Sequence, residues 1–130
     1  MKNPVLTLAP YCLLLFISLS SCTKENDNFF SIKFDSPKEN QAFSDGDKIK
    51  IKGKLSAKSG ISFYKVIIDK GVWTLWWDSQ DVDGKKSYNF EHTYTYSADG
   101  VAWYGYVYIE MYDENYVLLL KDGIPIEFNP

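Results

Sequence analysis

His92 is the only histidine in the 130-residue chain, and no serine or threonine with an acid behind it stands at a spacing that would make it the base of a nucleophilic pair. It sits in the row Tyr88, Phe90, His92, Tyr94 and Tyr96, which predicts a structural role. The acids fall mostly in turns, so the two carboxylates of one cleft that glycoside cleavage requires are not expected. Asp78-Ser79-Gln80-Asp81-Val82-Asp83-Gly84 spaces carboxylates like a cation loop, and calcium takes about six to eight oxygens. Lys85 and Lys86 stand where a closing glutamate would be, and Asp and Gly are ordinary turn residues, so a plain polar loop is predicted. The two cysteines are Cys12 and Cys22. No enzyme, no cofactor and no metal site is expected. The chemistry left is that of exposed aromatic rings.

These residues belong to a chain with an address at its front. Lys2 supplies one positive charge, and Val5 to Leu19 is largely apolar but interrupted by Pro10. That is short of the ~20 apolar residues of a membrane span and has the layout of a secretory signal. It ends in Leu19-Ser20-Ser21-Cys22, which resembles the lipobox of bacterial lipoproteins. The resemblance implies cleavage before Cys22 and a diacylglyceryl group on its thiol. Residues 1–21 are then a lipoprotein signal peptide, 22–29 a lipidated tether and 30–130 the working domain. Two or more acyl chains hold a protein stably on a bilayer, at about 0.8 kcal/mol per buried CH₂. Lys24-Glu25 and Asp27 resemble the charged stretch that follows the Cys in Bacteroidetes surface lipoproteins; a plain solvated linker reads equally well. The implied location is the outer membrane, on its surface or its periplasmic face.

After residue 21 there are thirteen lysines, seventeen acids and no arginine. A mildly acidic domain without arginine forks is a poor nucleic-acid binder, so no nucleic-acid partner is expected. Four Trp, nine Tyr and seven Phe remain, and such residues favour strands. No cysteine is left to form a disulfide within the domain, which must be stabilised by its core.

Alternation places the strands. Phe30, Ile32 and Phe34 form one row, stopped at Ser36-Pro37. From Lys48 to Leu55, Ile49, Ile51, Gly53 and Leu55 face one way and Lys48, Lys50, Lys52 and Lys54 the other; the lysines read as a solvated face. Ser56–Gly60 reads as a loop. Over 61–69, Tyr64, Val66 and Ile68 oppose Phe63, Lys65 and Ile67. Residues 72–78 form a strand whose parity stays open, 79–86 a loop, and 88–96 the aromatic row. Over 101–113, Trp103, Gly105, Val107, Ile109 and Met111 oppose Tyr104, Tyr106, Tyr108, Glu110 and Tyr112. In the last segment, 116–128, Lys121-Asp122-Gly123 is a bulge or a hairpin turn. Seven or eight short strands with regular turns predict an all-β sandwich.

Ser36-Pro37, the F-x-x-G-D of 43–47, the I-x-I-x-G ending at Gly53 and the S-G-I of 59–61 together resemble bacterial Ig-like domains over about residues 30–128. Such domains fill Bacteroidetes surface lipoproteins. The resemblance implies an Ig-like β-sandwich of antiparallel strands, with 61–69 beside 101–113. Two positions depart from the pattern: Gly105 replaces a frequent tyrosine, and Glu114 replaces a turn glycine. If Val107, Ile109 and Met111 face the core, then Tyr104, Tyr106, Tyr108 and Tyr112 face outward beside Phe63 and Ile67, with Trp73, Trp76 or Trp77 on the adjoining strand. At least two of the four tryptophans are expected to be buried. This surface is the candidate binding site, for a protein partner or for a glycan. Cross-strand tyrosine pairing on a solvated face accounts for the same row.

Overall fold

The computed structural model describes residues 30–130; the signal segment, Cys22 and the tether lie outside the described residues. Six strands form: β1 (Phe30–Ser36), β2 (Gln41–Phe43), β3 (Lys48–Lys70), β4 (Trp73–Thr95), β5 (Trp103–Tyr112) and β6 (Leu118–Phe128), with no helix among the described residues. They are fewer than the seven or eight expected because β3 and β4 each run through a segment that reads as a loop. Ser56–Gly60 lies inside β3, and Ser79–Lys86 lies inside β4.

β3 and β4 form one antiparallel hairpin, doubled over on itself. Its first half pairs Lys48–Ser56 with Ser87–Thr95, and its second half pairs Ile61–Lys70 with Trp73–Lys85. The register breaks between these halves, and the crease carries Gly60 at φ +89°, Asp83 at φ +59° and Gly84 at φ +78°. Positive φ comes without strain to glycine, so the ribbon can turn there and keep pairing. A side chain on Gly60 would meet the Gly84 carbonyl oxygen at 2.6 Å.

The crease yields two layers. One is β1, the first half of β3 and the second half of β4. The other runs from the first half of β4 through the second half of β3 to β5, β6 and β2. β2 pairs β6 in parallel, so not every pairing is antiparallel. A three-residue strand entering beside β6 has no hairpin to set its direction.

The core lies between the layers. Ile49, Ile51 and Leu55 come from one, and Tyr64, Val66, Ile68, Val107, Ile109 and Met111 from the other. The alternation expected for 48–55, for 61–69 and for the tyrosines of β5 holds. Trp103 departs from its inward row: it stands at the sandwich end and is 43 % exposed. Gly105 has a physical reason: a Cβ there would sit 2.1 Å from the Asp69 carbonyl oxygen and 2.6 Å from the Phe128 ring. Residues 121–123 are neither bulge nor turn. They pair regularly with Glu110, Ile109 and Tyr108, and the only register shift between β5 and β6 falls at Met111/Tyr112.

The two ends of the sandwich differ. At one, Phe30 pairs with Ala57 beside the crease. At the other, the Tyr96 amide donates to the Asp47 carbonyl at 2.8 Å, and its hydroxyl accepts from Lys70 Nζ at 3.0 Å. Residues 61–70 span the interval, on the order of 30 Å at strand rise.

Candidate binding surfaces

The outer face of the five-stranded layer is built by register. Trp77, Ile67, Tyr108 and Gly123 form one transverse row; Ser79, Lys65, Glu110 and Lys121 form the next. Beyond them Phe63 pairs with Tyr112, and on the other side Asp69 pairs with Tyr106. Tyr106 and Tyr108 stack at 5.3 Å, and Phe63 and Tyr112 at 4.7 Å with planes 3° apart. Tyr108 lies over Gly123, where a Cβ would come within 2.5 Å of its ring, and Lys121 Nζ sits 4.5 Å above that ring. Burial, with Asp69 and Tyr106 nearby, raises the Tyr108 phenol; burial and Glu110 raise that of Tyr112. Both hydroxyls are neutral donors at neutral pH. Tyr104 is the most exposed member of the tyrosine row.

Trp76 is not part of this face. It pairs with inward-facing Ile68, while Trp77 pairs with outward-facing Ile67, which settles the parity of 72–78. Trp76 lies half-buried against the core and stacks on Tyr94 at 5.7 Å. Trp73 is also elsewhere: it pairs with Lys70 at the end of the sandwich. Trp73 and Trp77 are 65 % and 60 % exposed, so with Trp103 three of the four tryptophans face solvent. The expectation that at least two are buried fails, because Trp73 and Trp103 lie at strand ends and Trp77 on the outer face.

His92 lies in a hydrogen-bond network that alternation could not reveal. The Tyr64 hydroxyl donates to Gln80 Oε1 at 3.0 Å, and Gln80 Nε2 donates to the Tyr88 hydroxyl. The Tyr64 hydroxyl and His92 Nε2 share a further hydrogen bond of 2.6 Å. Asp78 Oδ2 lies 3.7 Å from His92 Nδ1. Burial pushes the imidazole pKa down, against the pull of Asp78, and pushes the Tyr64 phenol far up. A neutral imidazole and a protonated phenol join the layers. The partners come from both halves of the folded ribbon, which sequence spacing does not register. Asp78–Gly84 lies in β4, and among the described residues no group of three potential ligands could hold a metal.

A second surface appears at the end away from Phe30. Lys70, Trp73, Thr74, Leu75, Asp99 and Trp103 line an open groove of about 390 Å³. Lys70 is buried, with its Nζ 2.7 Å from Asp99 Oδ1. Sequence reasoning reached Trp73 but missed its partner Trp103, assigned by alternation to the core.

This architecture is that of an Ig-like, fibronectin III-type β-sandwich. Two solved structures carry the likeness. The Clostridium thermocellum CbhA fibronectin(III)-like modules superpose with TM-score 0.51 and 17 % identity, over 76 % of this chain and 96 % of that one. A Niemann-Pick type C2 protein from Japanese carpenter ant gives TM-score 0.51 and 11 % identity, over 77 % of this chain and 91 % of that one. No family model matches the chain, and no curated protein matches it.

Proposed function

We propose that the protein is a non-enzymatic binding lipoprotein, held to the outer membrane by acyl chains on Cys22, whose Ig-like domain contacts a protein partner in the cell envelope. The observation that carries this is the outer face of the five-stranded layer. It sets exposed Trp77 and Tyr106 on one side of a charged row, Lys65, Glu110 and Lys121, and the Phe63–Tyr112 pair on the other. Aromatic anchors among mixed charges suit a protein interface. A glycan-binding accessory lipoprotein using the same face is the alternative. It is less well supported, because the Tyr106–Tyr108 and Phe63–Tyr112 stacks cover ring faces on which a sugar would have to lie.

The test is photocrosslinking in intact envelopes, with a benzophenone amino acid at position 77 or 106 and, as control, at Lys54 on the other layer. A discrete adduct of one mass from 77 and 106, absent from 54, supports the reading. Equal adducts from all three, or none, overturn it. For the anchor, Cys22→Ala is expected to lose acyl mass and leave the membrane fraction; a variant that stays membrane-bound contradicts lipidation at Cys22.

A further inference from the structure

We infer that the groove between Trp73 and Trp103 binds one ring of a neutral glycan. The site is separate from the outer sheet face and stands without it.

The groove has two aromatic walls that the fold leaves in water. Trp73 is 65 % exposed and Trp103 43 %. The Trp103 wall is held in place by what it packs on, and Trp73 stands at the start of β4. Trp103 lies flat against the turn between β3 and β4, where Gly71 at φ +59° has no Cβ to push the indole away; one would sit 2.8 Å from Cε3. The turn is tied to β5 by the Gly71 amide, which donates to the Tyr104 carbonyl at 2.8 Å. Trp103 is thus presented on a preset platform, and a ligand gains its contact without ordering a flexible ring.

The floor selects the ligand. Lys70 Nζ donates to Asp99 Oδ1 at 2.7 Å and to the Tyr96 hydroxyl at 3.0 Å, and sits 5.2 Å from the Tyr96 ring centre. Asp99 Oδ1 also accepts the Val101 amide at 3.1 Å. The ammonium and carboxylate cancel, so the groove holds no unspent charge for a phosphate, a sulfate or a quaternary ammonium. Asp99 Oδ2 takes part in none of these bonds, and the Asp99 side chain is 59 % exposed. An acceptor beside exposed indole faces fits a ligand that has hydroxyls on its edge and C–H groups on its flat. That is a neutral sugar ring. A volume of about 390 Å³ falls within the roughly 300–1,000 Å³ of small-ligand sites, and the open side leaves room for the chain to continue.

Position agrees. Phe30 enters the sandwich at the crease, and the groove is at the other end. A domain tethered through residues 22–29 presents the groove away from its attachment.

The experiment uses the full chain purified from membranes in detergent. Tryptophan fluorescence and calorimetry follow titration with hexamers of β-1,4-glucan, β-1,4-mannan, β-1,4-xylan and α-1,6-mannan, and with hyaluronan hexamer as the acidic comparison. At least one neutral hexamer is expected to bind, with affinity falling by roughly tenfold or more in Trp73→Ala and in Trp103→Ala and staying unchanged in Trp77→Ala. Thermal melts of the variants confirm that each is folded, and Trp103→Phe is expected to recover part of the loss. No binding to any neutral hexamer at millimolar concentration overturns the inference. So does binding that Trp73→Ala and Trp103→Ala leave intact, or a preference for hyaluronan. Capture of proline- or aromatic-rich peptides from a display library, lost in Trp73→Ala, assigns the groove to a protein and equally overturns it.

Discussion

Lys70 carries a positive charge at a position almost closed to water, and its two partners do not share the consequence equally. Removing Asp99 strands a buried ammonium, whereas removing Lys70 leaves a carboxylate already in solvent. Asp99→Ala should therefore lower the urea midpoint more than Lys70→Met; the reverse order would contradict the assignment. Burial alone would lower the Lys70 pKa, but its bonds to Asp99 and Tyr96 outweigh that and raise it, while the bond to Lys70 lowers that of Asp99. The pair thus stabilises from above the ordinary carboxylate pKa up to the ordinary lysine pKa. It weakens as pH falls through the acid limit or rises beyond the alkaline one. His92 has the opposite sign to a paired histidine. Its folded pKa is depressed by burial, so the unfolded chain takes the proton first, near the ordinary value of about 6.5. Stability is full above that pH and declines as pH falls below it, levelling once the folded group titrates. The urea midpoint should drop between pH 7.5 and 5, and His92→Gln should flatten the slope. Alternation located His92 and the tyrosine rows because each lies on a regular strand. Trp103 escaped it because a strand's end residue keeps its parity after the opposite layer has run out.

At the scale of the element, the crease is the sensitive place. Gly60→Ala forces a side chain into a positive-φ backbone and onto the Gly84 carbonyl, and should destabilise by about 1–3 kcal/mol. Gly84→Ala meets the same backbone but open space, and should lose about 1 kcal/mol. Paired chemical-denaturation curves check the order. The two halves of each long strand were legible in sequence, but their continuity was not. Ser56–Gly60 and Ser79–Lys86 are polar and rich in turn formers, and the local pattern of a bent, still-paired ribbon matches that of a loop. The Trp76/Trp77 parity was hidden for a related reason: the register shift between Ile68 and Asp69 lies opposite Leu75, inside a run apolar on both faces. Lys121-Asp122-Gly123 imitates a turn, although Gly123 is there to admit the Tyr108 ring.

Taken whole, the molecule relies on one core between two layers, with no cysteine after residue 22. Thermal unfolding of the full chain should be indifferent to dithiothreitol; a lowered melting temperature would mean a cross-link that the sequence does not allow within residues 30–130. The overall class was readable because strand periodicity and turn residues agree along most of the chain. The groove was not, since Lys70, Trp73, Asp99 and Trp103 converge only once the ribbon has folded over. The placement of β1 has a mechanical corollary. From Phe30 it runs along β3 toward the far end, matched to it residue by residue as far as Phe34, with a register shift before Ser36. Under the anchoring proposed above, a tug from the membrane, resisted by whatever occupies the far end, is directed along the strands. It strains the β1 ladder in shear, all rungs at once, and leaves the domain hard to peel open by its own mooring.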